Sequence, residues 1–125
     1  MKIIETNQAP AAIGPYSQGI ITGNLVYTSG QLGINPSTGA FDSDTIEGQT
    51  RQSIANVSAI LKASGTDLSH VVKTTCFLQN ISDFAAFNAI YEECFPGKPA
   101  RSCVEVAALP KGGLVEIEAI AEIVC

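Results

Sequence analysis

Val71-Val72-Lys73-Thr74-Thr75-Cys76-Phe77-Leu78 is the segment from which the fold can be built. It is rich in β-branched residues and apolar on both faces, which predicts a strand covered on both sides. Toward the amino terminus, Ile54, Val57, Ile60 and Leu61 recur at helical spacing until Gly65. Asp44 with Glu47 three residues later resembles a capping arrangement, so a helix is expected over residues 45–64. Toward the carboxyl terminus, Ser82 or Asp83 can cap a second helix whose Phe84, Phe87, Ile90 and Tyr91 form one apolar stripe, read as core. Pro96-Gly97 stops it.

Further out, Ser102 to Leu109 and Leu114 to Val124 are expected strands joined by Pro110-Lys111-Gly112-Gly113. If that joint closes a simple hairpin, Glu105 comes to lie near Glu118. Upstream, Ile20-Ile21-Thr22 and Leu25-Val26-Tyr27-Thr28-Ser29 flank Gly23-Asn24, a pair suited to a type II′ hairpin turn. Residues 12–18 read as a loop, and residues 29–39 as a long, irregular connection of the kind that carries function. The order is up to three strands, helix, strand, helix and two strands. It predicts one α+β domain over residues 1–125, a mixed sheet with both helices on one face.

Charged residues are only 15% of the chain, while apolar ones are 46%. The sheet face away from the helices is therefore expected to pack on another copy in preference to being solvated. A net charge of -5 and the absence of any Lys/Arg run argue against nucleic acid as a partner. The start has no apolar leader, since Glu5 follows Ile3-Ile4 directly, and no apolar stretch has membrane-spanning length. Cys76, Cys94, Cys103 and Cys125 form no C-x-x-C pair, and the lone His70 completes no zinc pattern. Reduced thiols in a cytoplasmic protein are the expectation.

Pro99-Ala100-Arg101-Ser102-Cys103-Val104-Glu105 puts one of only two arginines where a strand leaves a proline-bounded loop. Alternation places Arg101, Cys103 and Glu105 on one strand face. A guanidinium forks toward carboxylate or phosphate, so the position suits anion capture; an ordinary surface ion pair is the plainer reading. In the last strand Val115, Ile117, Ala119, Ala121 and Ile123 form the apolar face, leaving Glu116, Glu118 and Glu122 opposite.

Four blocks carry a resemblance: residues 11–19 (Ala-Ala-Ile-Gly-Pro-Tyr-Ser-Gln-Gly), Thr28-Ser29-Gly30-Gln31, residues 99–106, and Leu109-Pro110 with residues 116–121. In order and spacing they resemble the reactive intermediate deaminase A (RidA, YjgF-type) family over essentially the whole chain. The resemblance implies a chorismate-mutase-like α+β fold, assembled as a homotrimer with clefts between subunits, and no cofactor or metal. It also implies hydrolysis of reactive 2-imino acids, or their enamine tautomers, to 2-oxo acids and ammonia. Arg101 matches the family arginine that holds the substrate carboxylate, and Glu116 the acidic residue that orients or activates water. Cys103 matches the family cysteine; a lining role through its backbone carbonyl is favoured over a nucleophilic one, since no histidine base is nearby in sequence. Tyr16, Ser29, Gly30 and Asn88 match cleft-lining positions, although Asn88 on a helix equally fits a solvated surface residue. Many members carry a basic residue before the Leu-Pro and an acidic one after the Lys, where this chain has Ala108 and Gly112-Gly113; its loop between Phe95 and Pro99 is also short. A non-catalytic trimer that binds a small carboxylate or acts as a regulator or chaperone is the alternative.

Overall fold

The computed structural model describes residues 1–124, so Cys125 lies outside the described residues. Strand β5, Val71–Leu78, is an inner strand of the sheet. It runs antiparallel to β7, Val115–Glu122, and parallel to β6, Ala100–Glu105. On the other side of β7 come β3, Leu25–Thr28, then β2, Gly19–Thr22, and the short β1, Lys2–Ile4. A two-residue strand β4, Gln31–Leu32, also pairs with β7. The sheet is thus mixed, with β1 and β6 at its edges.

The hairpin reading of residues 110–113 is overturned. β5 lies between β6 and β7, so Glu105 pairs with Leu78 while Glu118 pairs with Thr75. The reason lies in β5 itself: a long apolar strand can accept neighbours on both edges, and a parallel β6 needs the helical crossover that residues 84–94 supply. Strand β6 also ends at Glu105, before the expected Leu109. Glu105 instead accepts the Ile81 amide at 2.9 Å, at the turn that leads into the second helix.

Helix α1, Ile46–Ala63, is capped by Thr45, whose hydroxyl accepts the Gly48 amide at 3.0 Å. Asp44 is one residue too early for that role; its neighbour supplies the same chemistry. Helix α2, Phe84–Cys94, has Asp83 at its cap position without a side-chain cap bond, because a 3-10 turn over Ile81–Asp83 leads directly into it. Ile54, Val57, Leu61, Phe87, Ile90 and Tyr91 pack against Cys76, Leu78, Val115, Ile117, Ala119 and Ala121 to form the core. Phe84 does not join them: it is 36% exposed.

Among the described residues no helix covers the opposite sheet face. Ile3, Ile20, Tyr27 and Ile120 lie in register across four strands, with Phe77 and Val104 nearby on the same side. Tyr27 and Val104 are exposed and Phe77 is half-buried, so β5 is covered on one face only within a single chain. Among the described residues no helix is long and apolar enough to cross a membrane.

Candidate functional site

Glu116 projects from β7 toward the connection that follows β3. A Cβ on Gly30 would sit 2.8 Å from the Glu116 carboxyl carbon, so a larger residue there would push the Glu116 side chain out of its present place. Burial, and secondarily the charge of Glu118, raise the Glu116 carboxyl above its ordinary value. Tyr16, Gly30, Leu32, Ile34, Pro110 and Glu116 help to line a cavity of about 450 Å³. The carboxylate therefore sits in a largely apolar hollow, an environment in which a carboxyl can take and return a proton.

The loops around it are pinned by buried amides and hydroxyls. The Ser29 amide donates to the Gln18 carbonyl at 2.9 Å, and the Ser29 hydroxyl to the Ser17 carbonyl at 2.5 Å. Gln18, buried, accepts from the Thr6 amide at 2.7 Å and donates to the carbonyls of Thr6 and Pro10 at 3.0 and 2.8 Å. On α1, Ser53 donates to the Gln31 carbonyl at 2.7 Å, and Asn56 to those of Leu32 and Ile34 at 3.1 and 2.8 Å. Gln18, Ser53 and Asn56 were not among the site residues read from sequence. A signal existed: Gln49, Ser53 and Asn56 recur at helical spacing on a face that is otherwise apolar, and buried polar side chains must find partners.

Arg101 lies elsewhere. Its Nη1 donates to the Asn88 side-chain oxygen at 2.7 Å. The guanidinium carbon stands 4.8, 5.4 and 6.0 Å from the ring centroids of Tyr91, Phe84 and Phe87. Among the described residues the ion pairs are Arg51 with Glu93 and His70 with Asp67, and neither involves Arg101. The surface pair expected of an ordinary arginine thus falls to Arg51. Asn88, Tyr91, Phe95, Lys98 and Arg101 help to line a second cavity, of about 730 Å³. Cys103, two residues along the same strand face, is half-buried beside Cys76, its register partner on β5. Burial raises its thiol pKa, although Arg101 partly offsets the rise, so the group is a neutral thiol at neutral pH.

The residues read from sequence therefore fall into two groups. Thr74 links Arg101 and Ala119 in register on the helix-covered face, whereas Phe77 links Val104 and Glu116 on the open face. Tyr16, Ser29, Gly30 and Glu116 come together; Arg101, Asn88 and Cys103 come together; one chain does not join the groups.

A family model described as endoribonuclease L-PSP matches residues 6–123. The 2-iminobutanoate/2-iminopropanoate deaminase of Escherichia coli K12 is 52% identical over 124 residues, covering 96% of each chain. AldR of Lactococcus lactis, whose name marks it as a candidate regulator, is 57% identical over 98% of each chain. The crystal structure of Escherichia coli TdcF with bound serine superposes with a TM-score of 0.93 at 46% identity, covering 98% of both chains. Matched over nearly its whole length, the chain belongs to the endoribonuclease L-PSP family, the family of the reactive intermediate deaminases that its motifs resemble.

Proposed function

We propose that this chain is a hydrolytic deaminase of short 2-imino acids, 2-iminobutanoate and 2-iminopropanoate, acting as a chorismate-mutase-like homotrimer whose clefts lie between subunits. The observation that carries the reading is Arg101: a guanidinium with no acidic partner among the described residues, in a chain 52% identical to a curated deaminase. The bound serine of TdcF, an amino acid with a small side chain and a carboxylate, supports a ligand of this size.

In this reading Arg101 grips the substrate carboxylate with two N–H donors. The imine nitrogen takes a proton from solvent; the Glu116 carboxylate then takes one from water as the water oxygen bonds to C2 and the C=N electron pair moves onto nitrogen, giving a neutral carbinolamine. Glu116 returns its proton to the amino nitrogen, the C–N bond breaks with its electron pair leaving on ammonia, and the hydroxyl proton goes back to solvent as the 2-oxo acid forms. Tyr16, Ser29 and Gly30 line the water side of the cleft, and Asn88 and Cys103 the carboxylate side. Because Arg101 and Glu116 sit on opposite faces of one sheet, the cleft pairs Arg101 of one copy with Glu116 of a neighbour. Free thiols at Cys76, Cys94 and Cys103 suit the reducing cytoplasm. The net charge of -5 disfavours RNA as a substrate despite the family's name.

Added to a threonine dehydratase reaction, the protein should speed 2-oxobutanoate formation, and Arg101→Ala should lose at least roughly tenfold of that activity. No acceleration by the wild type overturns the proposal. The similarity to AldR favours a second reading, a carboxylate-binding regulator without turnover; it predicts calorimetric binding of serine or 2-oxobutanoate by a protein inactive in this assay.

A further inference from the structure

Tyr91 is buried at 8% exposure, yet its phenol does not end in an apolar wall. Its hydroxyl meets the Thr74 hydroxyl at 2.7 Å, and Thr74 is 1% exposed on β5. Thr74 is also the register partner of Arg101 on β6, on the same sheet face. Above this pair the Arg101 guanidinium carbon lies 4.8 Å from the Tyr91 ring centroid, nearer than to Phe84 or Phe87. The Tyr91 ring is also held by stacking on Phe95, with centroids 4.4 Å apart.

We infer that Tyr91, locked by Thr74, is a positioning residue for Arg101, which it presents to a carboxylate; the inference rests on the proposed role of Arg101 as carboxylate anchor. Arginine is a long side chain with many rotamers, and a bidentate grip requires its plane to be fixed before the substrate arrives. Asn88 fixes one nitrogen, but a single hydrogen bond still allows the plane to rotate about it. A ring face beneath the guanidinium removes that freedom, and attraction between the cation and the π-system holds the two together. The ring can do this only if it does not itself tilt. Thr74 supplies the tether, and because Thr74 belongs to β5, an inner strand paired on both edges, the guanidinium is referenced to the body of the sheet. The inferred role of both Tyr91 and Thr74 is exerted through Arg101.

The experiment measures kcat and apparent KM for an imine generated in situ, together with the thermal midpoint of each variant. Tyr91→Phe keeps the ring and removes the tether, and Thr74→Val removes it from the other side without changing side-chain shape. Each should raise KM about three- to tenfold with kcat nearly unchanged, the signature of weakened carboxylate binding. Thr74→Ser, which keeps the hydroxyl, should restore KM. A wild-type protein with no activity, or an Arg101→Ala variant with unchanged KM, removes the anchor reading and this inference with it. If Arg101→Ala loses activity while Tyr91→Phe and Thr74→Val behave as wild type, the positioning role alone is overturned. It is likewise overturned if those variants lower kcat in step with a lowered midpoint and Thr74→Ser restores nothing in KM.

Discussion

Glu116 shows how a single side chain couples the candidate site to stability. Burial raises its carboxyl above the ordinary 4.5, so the folded chain holds that proton more tightly than the unfolded chain does. The stability from this group is fully present below pH 4.5 and is lost as pH rises through the raised folded value. Glu116→Gln should therefore unfold at a higher temperature than the wild type at about pH 8, with the gap closing toward about pH 4. Thermal melts across that range check it, and a gap that persists unchanged at the acid end would refute the assignment. The same substitution should abolish deaminase turnover, so that stability and activity move in opposite directions, as expected where a buried charge is kept for chemistry.

At the scale of elements, α1 acts as a polar clamp as well as a core helix. Its Ile54, Val57 and Leu61 enter the core, while Ser53 and Asn56 hold the segment that runs from Gly30 into the connection and Gln49 accepts the Leu114 amide just before β7. Asn56 is fully buried and gives both amide hydrogens to carbonyls of that segment. Asn56→Ala should cost about 2–3 kcal/mol of stability, since two carbonyls lose their donor in the interior, and chemical unfolding would measure it. The hydrophobic spacing of α1 was legible in the sequence because burial imposes a 3.6-residue period. Its cap was misread by one residue, at Asp44, because Asp and Thr offer the same acceptor and only the backbone angles at Thr45 select between them. The aromatic stripe of α2 was read as core throughout; Phe87 and Tyr91 are, but Phe84 at the helix start stands beside Arg101. A stripe records which residues share a face, not where the core ends along it.

For the whole molecule, the open sheet face is the telling surface. Ile3, Ile20, Tyr27 and Ile120 make a continuous apolar row on a face that no element among the described residues covers. The trimer proposed above buries it, and sedimentation should give about 39 kDa, three times 13.1 kDa. Tyr27→Asp should dissociate that species and abolish deaminase activity together, since the cleft proposed above is built from two copies. A fully active monomer would contradict the assembly and the shared cleft.

The sequence by itself determined the class of fold and the residues that could do chemistry. Periodicity fixed both helices and the strands β2, β3, β5 and β7, because burial acts on side chains at regular intervals. Arg101 stood out by residue type, as a permanent cation beside a proline-bounded loop, whereas Glu116 was singled out through the resemblance of the motifs around it. Only the tertiary structure decided which strands are neighbours. Placing β5 between β6 and β7 separates Glu105 from Glu118 and sends Arg101 and Glu116 to opposite faces. No local pattern records that choice, because strand order is set by how the apolar faces of distant segments pack together, and a strand with two free edges looks the same in sequence whichever partner takes each edge.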